Sequence, residues 1–221
     1  MGIPVLIYGK SGAGKSRSIK TFKDDEIFLV NVLGKPLPFK GEFKYSMTTD
    51  NPQRIMQGLS KMGEKGIKIA VIDDFGYLMT NAFMKGHGSG DQFKLYNQIG
   101  DIVWNLINFI QSPAVASDAI VYLIMHEDVA EDGTNKLRTI GKLLDQKVCI
   151  EGMVTVVLHA ITKGDKHSFL TNSDGLDLAK SPEDMFAEKE IDNDLRAVDQ
   201  AIRAYWGLNA AKPQPKEEAA K

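Results

Sequence analysis

Gly9-Lys10-Ser11-Gly12-Ala13-Gly14-Lys15-Ser16 matches the pattern G-x-x-x-x-G-K-[ST] at every fixed position. Before it, Ile3-Pro4-Val5-Leu6-Ile7-Tyr8 is an apolar run rich in β-branched residues, which predicts a buried strand. After it, Ser16 to Phe22 predicts the start of a helix. Strand, glycine-rich loop and helix form the setting in which this loop binds phosphate. Glycines at 9, 12 and 14 let the backbone turn tightly and face its N–H groups toward an anion. A helix N-terminus adds partial positive charge at the same place. Lys15 is expected on the β- and γ-phosphates of a nucleoside triphosphate, and Ser16 on Mg²⁺. The expected nucleotide-binding segment is Gly9, Lys10, Ser11, Gly12, Ala13, Gly14, Lys15, Ser16 and Arg17.

Two later stretches bear on the same chemistry. Ile67-Lys68-Ile69-Ala70-Val71-Ile72-Asp73-Asp74 is an apolar strand ending in two carboxylates, the form of a Walker B motif. Asp73 is expected to help hold Mg²⁺, and Asp74 to orient the attacking water as the catalytic base. Ala119 to Met125 predicts another buried strand, and it ends in His126. Open α/β sheets bind ligands at the carboxyl ends of their strands, so His126 is expected to sense the γ-phosphate.

Composition bounds the alternatives. With 221 residues, 43% of them hydrophobic and 25% charged, the chain suits one soluble α/β domain. A formal charge of −2 means that any nucleic-acid contact has to come from a local basic loop. The single cysteine, Cys149, excludes internal disulfides and cysteine-rich zinc sites. The strand at 3–8 is preceded by no signal peptide, and no apolar run approaches the length of a membrane span, so the expected location is cytoplasmic.

The remaining elements can be drafted from pattern. Strands are expected at 27–31, 43–46, 148–151 and 154–159, and a hairpin around Lys163-Gly164-Asp165-Lys166. Asp50 or Asn51 caps a helix from Pro52 to Lys61, and Phe75 to Met84 forms another. Phe93, Tyr96, Ile99, Ile102, Val103, Leu106, Ile107 and Ile110 set out the apolar face of a long helix. Asn193 caps a last helix with Leu195, Val198, Ile202 and Tyr205 on one face. Between these lies a charged loop, 127–142, acidic at first and ending in Lys136, Arg138 and Lys142. His159 and His167 are expected to be structural. One domain is expected over 1–207, followed by a disordered tail at 208–221.

Three kinds of phosphate-loop protein fit these motifs. A RecA-type ATPase accounts for Asp73-Asp74 and for His126 on the following strand. A ParA-like or GTPase-like protein is kept open by Lys10, five residues before Lys15, and by Asp73-Asp74-Phe75-Gly76. A nucleotide or small-molecule kinase could use the basic segment 136–142 as a lid.

Over almost its whole length the chain resembles the phage RecA-like ATP-binding proteins of the Sak single-strand annealing group. The resemblance is carried by Gly9–Ser16, Val71-Ile72-Asp73-Asp74, His126-Glu127, Thr139-Ile140-Gly141-Lys142, Phe169, Lys180-Ser181-Pro182 and Ile191-Asp192-Asn193-Asp194-Leu195. It implies a RecA-like P-loop core with a C-terminal hairpin and helix, which binds ATP and Mg²⁺ and acts on single-stranded DNA beside a phage single-strand binding protein. It also implies a homo-oligomer with nucleotide at the subunit interface. Segment 127–138 then stands at the DNA loop, and Lys142 acts on a neighbouring subunit's nucleotide.

Overall fold

The computed structural model describes residues 1–88 and 90–208. The expected tail falls almost wholly outside them, and Leu208 packs against the core. The fold is α/β. Strands β1 (Ile3–Gly9), β2 (Ile27–Asn31), β3 (Tyr45–Thr48), β4 (Ile69–Asp73), β5 (Ile120–Val129) and β7 (Val156–Lys163) run parallel in the order β3-β2-β4-β5-β1-β7. Strands β8 (Lys166–Leu170) and β9 (Glu190–Asp192) extend this sheet antiparallel beyond β7. A short strand, β6 (Asn135–Leu137), pairs with the far end of β5.

Parallel strands covered on both faces read as continuous apolar runs, and Val5 to Tyr8 and Ile120 to Met125 are fully buried. Leu6, Tyr8, Val121, Leu123 and Met125 face one core layer, with helices α1 (Pro52–Met62) and α3 (Gln92–Ile110). Helix α2 (Tyr77–Gly86) covers the same face. Val5, Ile7, Ile120, Tyr122 and Ile124 face the other layer, under α5 (Leu195–Tyr205). Asn51 caps α1 by accepting from the Arg54 N–H at 3.1 Å, and Ile55, Leu59 and Met62 point inward at helical spacing. Among the described residues no helix is long and apolar enough to cross a membrane.

Several expectations are corrected. The helix after the glycine-rich loop is only a 3₁₀ segment, Ser16–Thr21. The Ser18 hydroxyl donates to the Lys15 carbonyl at 2.6 Å and that of Thr21 to the Ser18 carbonyl at 3.0 Å, drawing the turns tight. The chain then turns extended at Phe22, whose ring enters the core. The segment 148–151 is no strand; a 3₁₀ turn, Glu151–Met153, leads into β7. Residues 127–137 are not an irregular loop. Strand β5 runs straight through His126 and folds back as a hairpin in which Lys136 stands opposite Asp128. A single helical turn, α4 (Lys142–Asp145), follows it.

The cap of α5 is Asp194, which accepts from the Arg196 and Ala197 N–H groups; Asn193 lies one residue too early. Tyr205 and Phe93 end the two apolar stripes and are exposed rather than buried. Beyond the expected hairpin β7–β8, β9 adds a third strand, too short to signal itself by alternation.

Helix α5 is fastened by a buried ion pair. Arg203 Nε donates to Asp199 Oδ2 at 2.6 Å, both side chains are at least 95% buried, and Tyr122 Oη donates to Asp199 Oδ1 at 3.1 Å. The guanidinium also donates to the backbone carbonyls of Asp118 and Lys68, tying α5 to the amino ends of β5 and β4. Removing one partner leaves the other charge buried, so Arg203→Met is expected to lower stability by about 3–5 kcal/mol, read as the urea unfolding midpoint.

Candidate functional site

Parallel register brings the carboxyl ends of the central strands to one edge. Gly9 of β1 stands opposite His126 of β5, and Asn31 of β2 opposite Asp73 of β4. The octapeptide leaves β1 at this edge with positive φ at Gly9 (157°), Gly12 (81°) and Gly14 (95°). A β-carbon at Gly9 would lie 2.4 Å from the Ala160 carbonyl oxygen of β7, and one at Gly14 2.9 Å from His167 Nδ1. The loop is thus pressed against the β7–β8 hairpin, and at these two points only glycine fits.

A cleft of about 370 Å³ opens over the loop. Ser11, Gly12, Gly14, Lys15, Ser16 and Arg17 of the loop line it together with Asp73, Asp74, His126 and Lys35. Lys10 and Ala13 instead face a second cleft on the other flank of the loop. Lys142 is exposed at the start of α4 and lines neither.

Lys15 is buried, and its ammonium donates to the carbonyls of Gly9 (2.8 Å) and Lys10 (2.7 Å). Burial pushes its pKa down to about 8, against the pull of Asp74 and Asp73. His126 Nδ1 lies 3.5 Å from that ammonium, and His126 Nε2 lies 3.5 Å from Asp74 Oδ1. The ring therefore bridges the lysine and the acid, a geometry that suits the tautomer with its proton on Nε2. Tyr77 packs edge-on against it, with 6.0 Å between ring centroids.

The two carboxylates are held differently. Asp73 Oδ1 accepts from the Ser16 hydroxyl at 2.8 Å, and burial raises its pKa despite that bond. Asp74 has left the strand with φ 62°, a conformation that costs a non-glycine residue on the order of 1–3 kcal/mol. Its carbonyl accepts from the Tyr77 N–H at 2.8 Å, so this kink turns the chain into α2. Asp74 Oδ2 pairs with Lys35 Nζ at 2.6 Å. Burial alone would raise the Asp74 pKa, but hydrogen bonds from His126 and Lys35 and the charge of Lys35 bring it below the ordinary value.

The Ser16 hydroxyl and Asp73 carboxylate make a hard-oxygen pair suited to Mg²⁺, which usually takes one or two protein oxygens and completes its shell with phosphate and water. Among the described residues no group of three or more His, Cys, Asp and Glu side chains could hold a metal without such help.

Two members of this site carry no motif. Lys35 lies beyond the end of β2 at Asn31, in the following loop, so the strand-end rule reaches its neighbourhood but not the residue itself. His167 lines the cleft from the β7–β8 hairpin, brought there by a pairing far along the chain. His159, expected to be structural, lines the second cleft with Glu127: its Nε2 lies 2.7 Å from Glu127 Oε2, both side chains are buried, and its ring stacks on Tyr8. No protein-family model and no curated protein matches the chain.

Gly9→Ala is expected to cost about 1–3 kcal/mol, because the new methyl group meets fixed backbone on β7. Gly12→Ala, where a β-carbon meets nothing within 4 Å, tests the effect of φ alone and is expected to cost less in the same urea titrations.

Proposed function

We propose that the chain is a RecA-like ATPase of the phage annealing kind, binding ATP with Mg²⁺ in the cleft and coupling hydrolysis to single-stranded DNA annealing or strand exchange. The observation that carries this proposal is the strand order. β5 lies between the loop strand β1 and the acidic strand β4, so its terminal His126 stands between Lys15 and Asp74. That arrangement favours a RecA-type protein. Such a protein carries a polar sensor at the end of the strand that follows the acidic one, and β5 follows β4.

Each side chain then has a defined task. Lys15 leaves its carbonyl partners for phosphate oxygens, a stronger acceptor for an ammonium. Ser16 and Asp73 hold Mg²⁺, which neutralises phosphate charge when bound. Asp74 orients the attacking water, and His126, touching both lysine and acid, responds to the γ-phosphate. His126 also continues directly into the β5–β6 hairpin, so a shift at the phosphate end has a stiff path to Lys136 and Arg138. Lys142, exposed at α4, is available to a neighbouring subunit's nucleotide in a homo-oligomer.

Lys15→Ala is expected to lower ATP hydrolysis by about 10²-fold or more. Normal hydrolysis by that variant would overturn the assignment of the site. Hydrolysis by the unaltered protein is expected to rise with single-stranded DNA. Replacing Lys136 and Arg138 together by Ala is expected to weaken that binding and flatten the slope of log affinity against log salt by about 1.4, two phosphate contacts' worth. An ATP-induced dimer with no response to DNA would favour the ParA-like alternative, and phosphate transfer to a nucleoside monophosphate the kinase.

A further inference from the structure

We propose that Lys35 is a second phosphate-binding lysine, which exchanges Asp74 for the terminal phosphate of a bound triphosphate and so frees Asp74 for the attacking water. The inference rests on the triphosphate proposal for the cleft and adds a residue that no motif marks.

The geometry of Lys35 is that of an anchored arm. Its backbone is gripped by Asn31 at the end of β2: Asn31 Nδ2 donates to the Lys35 carbonyl at 2.7 Å, and Asn31 Oδ1 accepts from the Gly34 N–H at 2.8 Å. Gly34 makes the turn with φ 67°, and Pro36 follows with its fixed φ. The side chain beyond this anchor is 54% exposed, yet its tip reaches a carboxylate that is only 4% exposed.

In this state Asp74 is contacted at both oxygens: Lys35 Nζ lies 2.6 Å from Oδ2 and His126 Nε2 lies 3.5 Å from Oδ1, so the Lys35 ammonium competes with a water for the acid. Lys15 reaches the phosphates from within the loop, whereas Lys35 approaches from the segment after β2. Lys35, Asp74 and the loop line one cleft, so a terminal phosphate bound beside Lys15 comes within range of the Lys35 arm.

Charge drives the exchange. A terminal phosphate carries about two negative charges against one on the carboxylate, and offers three acceptor oxygens where Asp74 offers two. The Lys35 ammonium therefore transfers to the phosphate, while His126 stays on Asp74. The acid is released only when a γ-phosphate is present. A diphosphate ends short of this point and leaves the Lys35–Asp74 pair closed. Lys35 would thus both discriminate triphosphate from diphosphate and keep Asp74 masked between turnovers.

The test compares the full-length protein with its K35A and K35R variants. Calorimetry gives Kd for ADP and for a non-hydrolysable ATP analogue, each with Mg²⁺, and steady-state assays give kcat and KM; circular dichroism confirms folding. K35A is expected to lose about tenfold or more in analogue affinity, the size of one charged hydrogen bond, while its affinity for ADP changes less than about twofold. KM for ATP rises with it, and K35R, which keeps the charge and the Asp74 pair, restores most of the preference. If K35A weakens both nucleotides equally, or neither, Lys35 serves only to neutralise a buried acid and the proposal falls. If the unaltered protein binds neither nucleotide, or Lys15→Ala binds both as well as it does, the triphosphate proposal falls and this one with it.

Discussion

At Gly9 the backbones of β1 and β7 run so close that any side chain would collide with the Ala160 carbonyl. That contact fixes the start of the glycine-rich loop from one side. Register with β5 fixes it from the other, because Gly9 stands opposite His126. Held between two parallel neighbours, β1 delivers its loop to a fixed place beside the ends of β4 and β5. Ser16, Asp73, Asp74 and His126 then converge without any of them having to be mobile. The small cluster of charges depends on the large hydrophobic sheet beneath it, since only a dry, rigid sheet holds strand ends in register.

The charges in the cleft satisfy one another in the meantime. Lys15 lies on backbone carbonyls, Lys35 on Asp74, the Ser16 hydroxyl on Asp73, and His126 bridges lysine and acid. Leaving a buried charge without a partner is expensive, so such a site has to be neutral within itself or hold a ligand that completes it. The same logic appears at the opposite end of the sheet, where Asp199, Arg203 and Tyr122 form a closed network. The two differ in access. The Asp199 network is sealed under α5, whereas the cleft is open and one of its members, Lys35, is more than half exposed. A sealed network stabilises; an open one can exchange partners.

Sequence pattern came through best where the local code is strong. The buried strands at 3–9, 27–31, 69–73 and 120–126 announce themselves by unbroken apolar runs, helix α1 by its cap and α3 by helical spacing. It misled where side-chain hydrogen bonds or tertiary pairing overrule local preference. Ser18 and Thr21 tighten an expected helix into 3₁₀ turns, and the polar run 127–137 becomes a hairpin because β5 continues past the sheet edge. Phe93 shows the limit of periodicity: it lies in phase with the buried face of α3 but beyond the point where anything covers it, and the ammonium of Lys147 sits over its ring instead.

The octapeptide, the two carboxylates and the terminal histidine could be picked out from residue types and spacing alone, because backbone freedom at glycine and the run from apolar strand to polar end are local properties. Their convergence could not. Which strand lies between β1 and β4, that Asp74 leaves its strand beside His126, and that Lys35 pairs with it are all set by strand order and register. Those depend on contacts between segments tens of residues apart, which spacing along the chain does not encode. The chain carries its chemistry in short words, and the packing of the sheet decides which of them meet.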